Sequence, residues 1–153
     1  MSQRLNKLIA TVGGVGYLPF APGTWASAIA AIIWFLFSKQ TDDQLIWQVV
    51  IIIVAIASGI YSSGKVASIE NKDPSHIVVD ELAGMWLTLL FIPPSFPNYL
   101  AGFILFRFFD ISKPFGIKRM ENYRNGWGIM LDDILAGIYS NILLRIIILS
   151  KVW

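Results

Sequence analysis

The sequence has no cysteine and a single histidine, His76. The first absence excludes disulfides, thiolate nucleophiles and Cys-ligated zinc or iron–sulfur centres. The second argues against a histidine-nucleophile mechanism, and His76 itself reads as an ordinary loop residue. No Asp-x-Asp-x-Thr run is present, so the usual aspartyl-phosphate signature is missing too. Charge is scarce: 14% of the 153 residues are charged, where a soluble domain carries about 25%. The net charge of +2 is too slight to argue for nucleic acid, and no RNA- or DNA-binding motif appears. Two basic residues and a short apolar stretch precede Gly13 and Gly14, a pattern unlike a cleaved signal peptide.

What the chain has in abundance is carbon. It is 56% hydrophobic with a mean hydropathy of +0.63, the composition of a membrane protein, and 1–153 is the length of one small domain. Glycines and prolines at 13, 14, 16, 19 and 22 break residues 1–22 into a re-entrant or interfacial segment. Five apolar runs follow: Thr24 to about Phe37, Leu45 to about Ser62, Ile77 to Ile92, Tyr99 to Asp110, and Ile129 to Leu149. Thr24 suits the N-cap of the first run. Ala55, Gly59 and Ser63 form a small-residue stripe for close helix packing. Lys39, Thr41, Asp42 and Asp43 make a polar turn; 64–76 and 111–128 read as loops, and 93–98 as a short link. Trp25, Trp47 and Trp153 fit interface anchors, and Ser140 and Asn141 fit interhelical hydrogen-bonding groups. The expected fold is all-α: a polytopic membrane bundle of about four to five embedded helices behind the N-terminal segment. Several runs fall short of the ~20 residues that cross a bilayer unaided, so their acidic ends belong at or just inside the interface.

Alternating the five runs across a bilayer places the N-terminus and the loops 64–76 and 111–128 on one face. Asp80 and Glu81 then open the third run there, Asp110 ends the fourth, and Asp132 and Asp133 open the fifth. The same face collects Arg4, Lys7, Lys65, Lys72, Arg107, Lys113, Lys118, Arg119 and Arg124, against Lys39, Arg145 and Lys151 opposite. The positive-inside rule makes that face cytoplasmic. Ionisable groups at the edge of apolar segments are costly and point to function, although a pair at a helix start also opposes the helix dipole.

Carboxylates without cysteine favour a hard cation, and Mg²⁺ prefers oxygen ligands completed by substrate phosphate. Neighbours on a helix diverge by about 100°, so Asp80 with Glu81, or Asp132 with Asp133, are not expected to share one ion. Lys113, held extended beyond the helix end by Pro114, offers a compact positive charge for phosphate. Thr24 and Ser27, with the free amides of the first helix, form a candidate anion site, although a plain cap is the better reading of Thr24.

At PFAPGTWAS (19–27), the Asp73-x-x-x-Ile77-Val78-Val79-Asp80-Glu81-x-x-Gly84 pattern, FRFFDISKP (106–114) and GWGIMLDDILAG (126–137), the sequence resembles the phosphatidylglycerophosphatase A family. Gly116 stands where the family pattern has a proline, and Asn125 where a second glycine is common. The resemblance implies an integral enzyme of the bacterial inner membrane. It implies Mg²⁺-dependent hydrolysis of phosphatidylglycerophosphate to phosphatidylglycerol and phosphate at the cytoplasmic side. It also implies site roles for Asp80, Glu81, Asp110, Lys113, Asp132 and Asp133, the five carboxylates being the metal-ligand candidates. With no cysteine, no Asp-x-Asp-x-Thr run and a lone histidine, direct attack by water on phosphorus is the mechanism that remains. Two other classes fit less well. A cation transporter would set its carboxylates near mid-membrane on broken helices, and a non-catalytic membrane subunit has no need of three acidic ends on one face.

Overall fold

A computed structural model describes residues 2–39, 44–70 and 74–150. The polar turn at 41–43, Asp73 and Trp153 fall outside them. Every regular element among the described residues is helical. They are α1 (Gln3–Ala10), α2 (Pro22–Ser38), α3 (Gln44–Glu70), α4 (Val79–Leu89), α5 (Phe96–Ser112), α6 (Ile117–Met120) and α7 (Gly126–Leu149), with a 3₁₀ turn at Val15–Tyr17.

The apolar runs became helices, with ends set by local chemistry. Pro22 and Pro97 sit in the first turns of α2 and α5, where a missing amide costs nothing. α5 therefore begins three residues before Tyr99. Ser95 caps it, accepting from the Asn98 amide at 3.4 Å. Thr24 is not the cap of α2: that position belongs to Ala21, in a left-handed conformation (φ 55°), and Thr24 lies inside the first turn. α3 continues to Glu70, through residues the polarity pattern assigned to a loop, and α6 is a further helical turn within 111–128.

α4 is the hub, packed against α7, α2, α3 and α5. Its approach to α7 is backbone to backbone. A Cβ on Gly84 would lie 2.7 Å from the Asp133 carbonyl oxygen, and one on Gly137 would lie 2.6 Å from that of Gly84. Against α2 it is pinned by two indoles: Trp86 Nε1 donates to the Ala30 carbonyl (3.0 Å) and Trp34 Nε1 to that of Leu89 (3.4 Å), the rings stacked at 5.4 Å. The core around these contacts holds Met85, Leu89, Phe106, Ile117 and Leu144. The stripe at Ala55, Gly59 and Ser63 does face neighbours: Gly59 abuts Met130 of α7, and Ser63 is fully buried. Asn141 bridges helices as expected, donating to the Thr88 (2.8 Å) and Leu90 (3.0 Å) carbonyls at the end of α4. Ser140 instead bonds back to Ala136 in its own helix.

The exterior is apolar. Leu100, Ile104 and Phe108 form an exposed stripe on α5, as do Ile138, Ile142 and Ile146 on α7. Among the described residues, one helix, Leu45–Ile69 within α3, is long and apolar enough to cross a membrane, and only 22% of its most apolar window is buried.

Candidate active site

At the end of the bundle where α2 begins and α5 ends, a cavity of roughly 840 Å³ opens among α2, α3, α4, α5 and α7. Asp80, Glu81, Asp110, Lys113, Asp132 and Asp133 all line it, and so do Ser68 and Ser75 from 64–76 and Tyr123 and Asn125 from 111–128. The two segments expected on one face therefore meet at one mouth.

Asp80 and Glu81 occupy the first turn of α4, and Asp110 the last turn of α5. Asp132 and Asp133 do not start their helix. α7 opens at Gly126 and has no acidic residue in its first turn, so the helix dipole offers no reason for a buried pair there. Their placement instead follows from the glycine contacts with α4, which press this part of α7 onto the hub.

The acids sort into three groups. Asp80, Glu81 and Asp133 each offer an oxygen, and these lie within 4.8 Å of one another. Asp80 and Glu81 were not expected to share one ion, yet one oxygen of each lies in the same trio. For Asp132 and Asp133 the expected divergence is seen, since Asp132 points to Lys113 and not into the trio. Asp110 pairs with Arg107, one turn earlier on α5, at 2.5 Å. Asp80 Oδ1, Glu81 Oε2, Asp132 Oδ1 and Asp133 Oδ2 are buried without a protein hydrogen-bond partner. Carboxylates packed this closely away from water are expensive unless a cation neutralises them. The trio has the donor chemistry of a hard cation.

Lys113 is the hinge of the basic side. It is the C-cap of α5 in a left-handed conformation (φ 44°, ψ 48°), so Pro114 does not hold it extended; the chain turns back instead. Its Nζ donates to Asp132 Oδ2 at 2.5 Å and to Glu121 Oε1 at 2.6 Å. Burial works against the charged ammonium, but these two bonds outweigh it and hold the pKa above its ordinary value. Asn125, also on the rim, sits at φ 59°, ψ −150°, a region natural to glycine. Gly116, at φ 88°, could not be replaced by proline without refolding that turn. Non-glycine residues in such conformations cost of order 1–3 kcal/mol and gather at functional sites. Lys113 and Asn125, both in the cavity wall, do so here.

The α2 anion site does not form as expected. Thr24 borders a separate apolar hollow with Phe20 and Trp25. The space above Gly23 is taken by the Glu81 carboxyl, which any Cβ there would strike. Ser27 is buried, donates to the Gly23 carbonyl at 2.8 Å, and meets the site only through Arg107 Nη1 at 3.4 Å. His76 is stacked on Tyr17 at 5.1 Å and is not part of the cavity wall. Two charged residues in the wall, Arg107 and Glu121, were not among the expected site groups. Arg107 had a signal in the spacing Arg107-x-x-Asp110, one helical turn. Glu121 had none, because its contact with Lys113 depends on how the loop folds.

Fold and site together define an all-helical protein with a carboxylate-lined cavity at one end of its bundle. The profile described as Phosphatidylglycerophosphatase A matches residues 8–148, and the chain belongs to that family. A Bacteroides thetaiotaomicron protein named "Putative phosphatidylinositol-3-phosphatase" is 43% identical over 93% of this chain and 92% of its own length. Proteins named phosphatidylglycerophosphatase A from Escherichia coli and Haemophilus influenzae are 36% and 38% identical, each over 87% of this chain and over 77% and 82% of their own lengths. No solved structure matches the chain.

Proposed function

We propose that this protein hydrolyses the phosphomonoester of phosphatidylglycerophosphate, giving phosphatidylglycerol and phosphate. In this reading it is a multi-pass protein of the bacterial inner membrane with its site open to the cytoplasm. The observation that carries the reading is the convergence of five carboxylates, Lys113 and Arg107 on one cavity, in a bundle that exposes many large apolar side chains. A phosphate group on a lipid needs cations and an acid–base group at the edge of an apolar surface.

Asp80, Glu81 and Asp133 would hold Mg²⁺, with Asp110 and Asp132 beside them. The bound ion would supply charge neutralisation at the phosphate and polarisation of its oxygens. Lys113 and Arg107 bind the remaining phosphoryl oxygens and offset the charge that develops on them. Lys113 can do so by a small swing away from Asp132. Water attacks phosphorus directly, and a carboxylate outside the trio, Asp110 or Asp132, accepts its proton. The bond between phosphorus and the glycerol oxygen breaks, and the same carboxylate returns its proton to that oxygen, which leaves as the hydroxyl of phosphatidylglycerol.

The test is phosphate release by the purified chain in defined vesicles, with phosphatidylglycerophosphate and phosphatidylinositol 3-phosphate compared side by side. The second substrate is included because of the name carried by the Bacteroides relative. Turnover should favour the first, vanish when metal is stripped, and return with Mg²⁺ or Mn²⁺ but poorly with Zn²⁺. Preference for the inositol lipid would transfer the reading to that substrate. Full activity in excess chelator would remove the cation from it.

A further inference from the structure

Beside the polar cavity, α2 and α5 enclose a second hollow of about 280 Å³ whose wall is almost wholly carbon. Ala28, Ile32 and Leu36 supply one side at four-residue spacing; Leu100 and Phe103 supply the other. The hydroxyl in the wall, Tyr99 Oη, is bonded to Ser38 Oγ at 3.2 Å and gives the hollow no free polar group. The same two helices carry the rim of the polar cavity, at Gly23 on α2 and at Arg107 and Asp110 on α5. At 1.5 Å per residue, Ala28 lies roughly 7–8 Å beyond Gly23 and Phe103 about 6 Å beyond Arg107. The hollow therefore starts about one turn past the charged site and runs away from it.

The junction is closed by Arg107, whose Nη1 meets Ser27 of α2 and Asp110 of its own helix. Its Nε is buried with no protein partner. A buried guanidinium donor without an acceptor is costly. This one lines the polar cavity, one helical turn from Phe103 in the wall of the apolar hollow. The geometry points to the α2–α5 groove as the seat of one acyl chain of the lipid substrate, with Arg107 Nε reserved for an oxygen of the head group. This inference rests on the lipid-phosphatase reading above and adds the route by which lipid enters, between α2 and α5.

Two measurements test it on the full chain in vesicles. The first uses a phosphatidylglycerophosphate analogue bearing a diazirine at the end of one acyl chain, and maps the photo-adducts by peptide. Adducts should concentrate on α2 and α5 around Ile32, Leu36 and Leu100. Adducts on the apolar face between α1, α3 and α4, an even spread over all lipid-facing helices, or crosslinks of one copy to another at this groove would overturn the assignment. The second fills the groove with Ala31→Phe, Ala31 being a further small residue of its α2 wall, and compares long-chain with short-chain lipid phosphates. The long-chain to short-chain ratio of kcat/KM should fall about tenfold, the scale of mis-sized apolar pockets. Phe103→Ala, which widens the groove, should shift the optimum to bulkier chains. An unchanged ratio in both variants would sink the idea. Absence of phosphate release from either lipid by the unaltered chain would instead remove the underlying activity, while the adduct map would still report on the groove.

Discussion

At the scale of single residues, burial and pairing decide what each carboxylate can do. Asp133 is 2% exposed and belongs to the trio, whereas Asp132 is 6% exposed and tied to Lys113. Asp133→Asn should therefore weaken Mg²⁺ activation, raising the metal concentration needed for half-maximal rate and lowering kcat by about a hundredfold or more. Asp132→Asn and Asp110→Asn should lower kcat with little change in that metal requirement, and comparing their pH–rate profiles identifies the proton acceptor. Lys113→Ala should fall by a similar factor. His76→Ala should lose far less, because its ring packs on Tyr17 outside the cavity. A steady-state metal titration of each variant checks the set. Near-wild-type turnover in Asp132→Asn and Asp133→Asn together would detach the cluster from the chemistry, and a trapped phosphoenzyme would replace direct attack by water.

At the scale of elements, helix existence was legible and helix ends were not. Apolar runs announce helices whatever their surroundings. The last two turns of α3, by contrast, mix Lys65, Ser68 and Glu70 with Val66 and Ile69. Gly64, Ala67 and Ser68 line the polar cavity while Val66 packs inward, so the helix persists where average polarity suggests a loop. The same limit hid α6 and the Glu121 contact. The expected site acids needed only run order and charge to be found. Their grouping into a trio and two ion pairs needed the interhelical distances that the glycines set. Gly137 gives the sharpest test of this. Gly137→Ala would press a methyl into the Gly84 carbonyl, at a cost of roughly 1–3 kcal/mol for overpacking. Thermal unfolding in detergent should show a lower Tm for Gly137→Ala, and Mg²⁺ activation should weaken as Asp133 is displaced. Ile142→Ala, on the exposed face of the same helix, should leave both readings near normal. Equal melting for Gly137→Ala and the parent would show that the close approach is not what seats Asp133.

For the whole molecule, the proposed orientation gathers residues of 64–76 and 111–128 at one mouth and leaves 93–98 at the other end. The cysteine-free sequence makes this directly measurable. Single cysteines at Gly116 or Asn125 should resist a membrane-impermeant thiol reagent in intact cells and react after lysis, while one at Ser95 should react in both. Strong labelling at 116 or 125 before lysis would invert the orientation.

α4 has only 11 residues, roughly 16 Å at 1.5 Å per residue, against a hydrocarbon core of about 30 Å. Its far end is secured by Asn141 and by Arg145, whose Nη2 donates to the Leu90 carbonyl at 3.0 Å. Its near end opens into the polar cavity. On the proposed placement, the polar cavity occupies part of the thickness that α4 does not cover, and water filling it would be continuous with the cytoplasm. The membrane voltage would then fall mainly across the remaining apolar part rather than along the path of the substrate. A charge crossing the full field would feel about 2.3 kcal/mol per 100 mV. On that reading, a phosphate settling onto the trio would stay close to the electrical potential of the compartment it came from. The carboxylates can lie deep in the protein while turnover stays nearly indifferent to whether the cell is energised.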